Sequence, residues 1–192
     1  MLAKIVQTIF SKGLISICNF LVVMITAQYL GADGRGNISI MFLNITVILL
    51  FNDIIGGSSL VYLTPRREPW SLLLPAVTVG FFTGVILPLL FHLYFHFQRA
   101  ELFYFIALTL LSNFSSISNY FLNGFQKIRQ NNLASILQAL VILASLLIEF
   151  FVLKKFSVFS YYRALALGYA VNLFFSMFSL RGNFKRAPFS WK

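Results

Sequence analysis

The chain has 192 residues, 59% of them hydrophobic and 10% charged, whereas charged residues make up about a quarter of an ordinary soluble domain. Such a composition excludes most water-soluble folds. A helix crossing a bilayer needs about 20 mostly apolar residues, so six crossings use roughly 120 residues and this length allows about six. The net charge of +10 would point to nucleic acid in a soluble protein, but these basic residues are dispersed among loops, as cytoplasmic loops collect Lys and Arg.

In chain order, apolar runs fall at about 8–30, 38–63, 72–95, 101–123, 133–153 and 158–180. They are too long and too continuous for the alternating segments of about ten residues that build a membrane barrel. The expected fold is therefore an all-α integral membrane protein with six transmembrane helices, forming one unit over 1–180 and leaving 181–192 as a basic tail.

The first run follows Lys4 and Lys12 and lacks a small-residue cleavage pattern at Thr26-Ala-Gln, so it reads as a retained helix. At 100° per residue its Thr8, Lys12, Ser16, Asn19 and Thr26 fall within an arc of about 80°. Lys12 either snorkels to the interface or attracts an anionic headgroup. Cys18 has no second cysteine to pair with. The segment Tyr29-Leu-Gly-Ala-Asp-Gly-Arg-Gly36 reads as a glycine turn.

In the second run Asn37 and Asn44 share a face, and Asp53 lies roughly opposite, where an ionised carboxylate is costly. Asp53 is expected to pair with a neighbouring helix or to hold a proton. Gly56-Gly57-Ser58-Ser59 interrupts this helix, and an irregular backbone there needs protein or water beside it. Thr64-Pro-Arg-Arg-Glu-Pro69 is a charged loop.

The third run carries Gly80 and Gly84 as a GxxxG pair bracketed by Pro75 and Pro88, which fits close packing with a kink. His92 and His96 have no acidic or cysteine ligand close by, so a bilayer-interface position is expected for them rather than a metal site. In the fourth run Ser112, Ser116, Asn119 and Asn123 lie within about 60°, and in the fifth Asn131, Ser135, Gln138, Ser145 and Glu149 lie within about 80°. Gln126-Lys-Ile-Arg-Gln-Asn-Asn132 between them is a polar hinge. Glu149 sits about 6 Å from the end of its helix, so interfacial solvation is expected for it, and Arg163 reads as an interfacial anchor.

Small polar residues also join helix to helix in many bundles. Three polar stripes running most of the membrane thickness favour a hydrated cavity, with Lys12, Ser16, Asn19, Asn44, Ser112, Ser116, Asn119, Asn123, Ser135 and Gln138 as lining candidates. Asp53 and Glu149 are the candidates for ion or proton coupling. With the amino terminus inside, Lys4, Lys12, Arg66, Arg67, Lys127, Arg129, Arg181, Lys185, Arg186 and Lys192 face the cytoplasm, against Arg35, Arg99, Lys154, Lys155 and Arg163 outside. That asymmetry places both termini in the cytoplasm. No phosphate-cradling loop, HExxH or nucleophile elbow occurs, and an enzyme is not expected.

Three of these segments, in order, carry a family resemblance. Tyr29-Leu-Gly-Ala-Asp-Gly-Arg-Gly36 resembles the turn between the first two helices of Wzx-type polysaccharide flippases, with Ala32 and Asp33 where Pro and Glu are common. Asp53-Ile-Ile-Gly-Gly-Ser-Ser-Leu-Val-Tyr62 before Arg66-Arg67 is similar to the end of their second helix, and Phe121-Leu-Asn-Gly-Phe-Gln-Lys-Ile-Arg-Gln130 to the joint of their fourth and fifth. The resemblance implies the amino-terminal lobe of a two-lobed exporter of the multidrug, oligosaccharidyl-lipid and polysaccharide superfamily, in a bacterial cytoplasmic membrane. It implies flipping of polyprenyl-pyrophosphate-linked oligosaccharide for O-antigen, capsule or exopolysaccharide by alternating access, with no cofactor. The implied partners are membrane lipid, the lipid-linked substrate, and a second six-helix lobe or another copy in a homodimer. A truncated or half-length product is also expected from this reading. The alternatives are a multidrug antiporter lobe, against which the first helix has Lys12 and no carboxylate, and a membrane interaction subunit that transports nothing.

Overall fold

The computed structural model describes residues 2–95 and 97–185. Expectations placed on His96 and on residues 186–192 lie outside the described residues, as do the side chains of Lys4 and Lys185. All regular structure among the described residues is helical: α1 (Leu2–Asn52), a π-helical turn (Asp53–Gly57), α2 (Ser58–Leu63), α3 (Pro69–Phe95), α4 (Arg99–Gly124), α5 (Ile128–Leu147), a second π-helical turn (Ile148–Val152) and α6 (Val158–Lys185). Five helices are long and apolar enough to cross a membrane, which makes this a helical membrane protein.

The first of these spans, Val6–Asn52, has 47 residues, far more than one crossing needs. Gly31 inside it is not helical, with φ 68° and ψ −171°, a backbone region open essentially to glycine alone. In one straight helix Asn19 and Leu43 would be about 36 Å apart, yet both line one cavity, and Arg35 Nη1 donates to Thr26 Oγ1 at 3.3 Å. The chain folds back at Gly31 into two arms, 2–30 and 32–52. The turn is thus a single residue, shorter than the glycine turn expected at 29–36; Ala32 to Gly36 stay helical because one positive φ suffices to reverse the chain.

Other boundaries also move. The break expected at Gly56–Ser59 is a π-helical turn, and the helix widens there without unwinding. Arg181 to Lys185, expected in a tail, continue α6.

α3 packs on α4 through its small residues. A methyl group on Gly80 would stand 2.7 Å from Ile117 Cδ1, and one on Gly84 2.8 Å from Leu110 Cδ2, so the two glycines let Ile117 and Leu110 of α4 lie directly against the α3 backbone. Pro88 cannot donate to the carbonyl of Gly84 one turn earlier. Thr109 Oγ1 from α4 donates to that carbonyl at 2.9 Å, and Asn113 Nδ2 donates to the Gly80 carbonyl at 2.9 Å. Backbone polarity freed in an apolar medium is thereby satisfied by the neighbouring helix.

Two apolar cores result, one toward each end of the bundle. The first joins Val22, Ile38, Ile45, Phe105, Leu108, Ile142, Leu146 and Tyr162; the second joins Leu60, Ile117, Phe121, Leu122 and Leu180. Along α4 and α6 the buried residues between them are polar: Thr109, Ser112, Asn113 and Ser115 on α4, Asn172 and Ser176 on α6.

Candidate functional site

The polar residues fall into two regions of opposite character. The closed region is a belt across α4, α5 and α6. Ser115 Oγ donates to Asn172 Oδ1 at 2.7 Å, Asn172 Nδ2 donates to Gln138 Oε1 at 2.8 Å, and Ser176 Oγ donates to Asn119 Oδ1 at 3.1 Å. Asn172 and Ser176 are fully buried. Asn119, half-buried, thus joins α4 to α6 through its carbonyl and is not among the residues lining the cavity described next. Neither Asn172 nor Ser176 stands out in the expected stripes, although their spacing of four puts both on one helix face.

The open region is a cavity of about 570 Å³ between the two arms of α1, α5 and α6. Asn19 and Gln138 line it, together with Arg35, Ser39, Thr46, Tyr161 and Tyr169. Arg35, expected on the outer side of the membrane by charge counting, was not among the expected lining residues, and the structure adds it to them. The signal in the sequence is that Arg35, Ser39 and Thr46 share an arc of about 40° on the second arm, away from the Asn37 and Asn44 face.

The arm 2–30 divides around its circumference into three sectors. Ser11, Cys18, Val22 and Thr26 face the bundle and are buried. Val6, Phe10, Ile17 and Met24, on another side, are exposed and apolar, as a lipid-facing surface is. Between these sectors Lys12, Ser16 and Asn19 are exposed on one line, with Lys12 about 10 Å along the axis from Asn19. This line runs from one end of the helix into the cavity. Thr8, at its start, accepts from Asn132 Nδ2 at 3.1 Å on α5.

The remaining expected lining residues lie elsewhere. Asn44 is buried, and its amide nitrogen has no hydrogen-bond partner among the described residues. Ser112 Oγ donates to the Thr109 carbonyl at 3.0 Å and Ser135 Oγ to the Asn131 carbonyl at 3.1 Å, local bonds that satisfy each hydroxyl on its own helix. Ser116 and Asn123 are half-buried and lie apart from the cavity lining.

Asp53 and Glu149 each sit in a π-helical turn and meet another helix. Tyr120 Oη of α4 donates to Asp53 Oδ1, and the same ring lies over Gly57, where a methyl would stand 3.0 Å from Tyr120 Cζ. A smaller cavity of about 180 Å³ adjoins it, lined by Asn52, Gly56, Gly57 and Tyr120 among others. Glu149 pairs with Arg163 at 2.6 Å. The two residues, expected separately at the interface, form an ion pair in which the Arg163 side chain stays 42% exposed, because α6 begins beside the end of α5.

Among the described residues no cluster of His, Cys, Asp and Glu could hold a metal ion. No family model, no curated protein and no solved structure matches the chain.

Proposed function

We propose that this chain is one six-helix lobe of a transporter that moves an anionic, sugar-bearing lipid across the membrane. On this reading each arm of α1 crosses once, both termini are cytoplasmic by the Lys and Arg asymmetry, and a second lobe faces the arm 2–30. The observation that carries it is the exposed line Lys12, Ser16 and Asn19 on an otherwise apolar helix. Polar groups at bilayer depth are not left against lipid, so that face borders protein or a water-filled space. It leads to a cavity holding Arg35, Asn19 and Gln138, within the range of small-ligand sites, about 300–1,000 Å³.

Two cations along one path, Lys12 and Arg35, favour an anionic substrate over the organic cations of a multidrug antiporter. Amides and hydroxyls beside them suit sugar hydroxyls, and guanidinium suits phosphate oxygens. The carrier on this reading is a polyprenyl pyrophosphate, as the resemblance to polysaccharide flippases implies, and the coupling carboxylates are Asp53 and Glu149.

The test is export of lipid-linked oligosaccharide in cells whose only copy carries Lys12→Ala or Arg35→Gln. The reading expects export to be lost while the protein stays in the membrane at its usual level. Normal export in both variants would remove these residues, and the anionic substrate, from the mechanism. Loss of the protein itself would assign them to packing.

A further inference from the structure

A second concave surface lies on another side of the bundle, away from the polar line. It is a groove of about 440 Å³ between α3, α4 and α6, with Trp70, Leu73, Phe121, Phe174, Met177 and Phe178 in its walls. Its lining residues on α6 run from Phe174 to Phe184, of which Phe174 to Arg181 cover about 10 Å at 1.5 Å per residue. That is about two thirds of one leaflet's hydrocarbon, since the whole core is about 30 Å thick, enough for the upper part of one acyl chain.

The end of the groove is built and charged. Trp70 Nε1 donates to the Phe184 carbonyl at 3.3 Å, and the two rings meet edge to face at 5.1 Å, closing the end where α3 starts and α6 finishes. Arg181 lines the groove itself and is exposed. Lys127 Nζ is held to the Ser179 carbonyl at 2.7 Å, next to Arg181 along α6. Arg66, Arg67 and Arg129 are exposed on the adjoining loops and helix start, with Arg66 over the Tyr62 ring at 3.8 Å. At this end of the bundle the sequence sets Arg66, Arg67, Lys127, Arg129 and Arg181 against one acid, Glu68. An aromatic belt residue, a cationic rim and an apolar trough running into the leaflet together match a lipid whose headgroup is negative.

We infer that this groove is a binding site for an anionic phospholipid, with one acyl chain along α6 and the phosphate at Arg181 beside Lys127. The site is independent of what the opposite polar face carries. Zwitterionic lipid fills the trough equally well and brings the same phosphate, but its ammonium group is repelled by the basic rim, so the net headgroup charge sets the selectivity.

Trp70 reports occupancy directly. The chain has two tryptophans, and Trp191→Phe leaves Trp70 as the sole fluorophore. In vesicles with equal mole fractions of lipid brominated on its acyl chains, brominated phosphatidylglycerol is expected to quench Trp70 with an apparent affinity about 5-fold above brominated phosphatidylcholine, the size of one basic residue's gain at an anionic surface. Arg181→Gln is expected to bring that preference below about 2-fold, whereas Arg99→Gln, at the far end of α4, leaves it unchanged. Equal quenching by the two lipids, or a preference that Arg181→Gln does not lower, overturns the site. An equal drop in both variants overturns it too, by making net charge the cause.

Discussion

The belt across α4, α5 and α6 and the line along the arm 2–30 use the same residue types at the same helical spacing, and they do opposite things. In the belt, Asn172 bonds Ser115, Gln138 and Ser176, and of these Ser115 and Ser176 are buried with it. Along the arm, Lys12, Ser16 and Asn19 are exposed. The difference is the neighbour: α6 supplies amides and hydroxyls to the belt, whereas the bundle places nothing over the open line. Gln138 belongs to both regions, accepting from Asn172 and lining the cavity, so the sealed network fixes one wall of the open one.

The comparison can be broken at the belt first. Asn172→Ala strands Ser115 and removes the bond to Gln138, while Ser176 keeps Asn119. Abandoned buried partners cost about 1–3 kcal/mol, and bonds between membrane helices are worth about 0.6–2 kcal/mol each. A loss of about 3 kcal/mol is expected in unfolding of the purified protein in detergent. A loss below about 1 kcal/mol would mean the belt is as hydrated as the cavity.

Gly84→Leu attacks the adjoining seam, where even a methyl would meet Leu110 at 2.8 Å and Asn113 Nδ2 at 3.2 Å. Overpacking of this kind costs about 1–3 kcal/mol, and about 2 kcal/mol is expected in the same assay, with α3 displaced from the Thr109 hydroxyl. Gly31→Ala tests the fold-back between the arms. Space is open around Gly31, so the cost is purely conformational, about 1–2 kcal/mol for a residue held at this φ and ψ. Paired spin labels on the two arms would report any accompanying opening as a longer distance.

The smallest effect on stability is expected at the open line. Lys12→Gln should change stability by less than about 0.5 kcal/mol, as exposed substitutions do, while abolishing export on the proposed function. A loss of stability like that of Asn172→Ala would place Lys12 in a packed interface instead.

The long apolar runs were legible because bilayer thickness acts on length and composition alone, and the GxxxG pair because Gly80 and Gly84 lie on one face of α3. The stripes were legible as angles. Whether a stripe closes or opens was not, since helical periodicity gives a direction around one helix and says nothing of what stands there. Asn119 and Asn19 look alike in sequence; a serine 57 residues away occupies the first, and a cavity borders the second. The reversal at Gly31 was misjudged in length for a related reason, because one residue with positive φ turned the chain while Asp33 and Gly34, ordinary turn residues, remained helical. Arg35 escaped notice as a cavity residue because charge counting gives only a side of the membrane, and the fold-back that sets Arg35 beside Asn19 is not written in composition.

The most direct test of the central claim is the water accessibility of the arm 2–30. In a Cys18→Ala background, which removes the buried native thiol, single cysteines replace Ser16 and Asn19 on the polar line and Ile17 and Met24 on the apolar side. A charged, membrane-impermeant thiol reagent is then applied to membranes opened to both faces, since alkylation requires the thiolate and hence water. Rapid labelling at positions 16 and 19, with protection at 17 and 24, is the predicted result. Equal protection at all four positions would contradict the account, because the polar line would then lie against lipid or dry protein and no aqueous path would lead to the cavity.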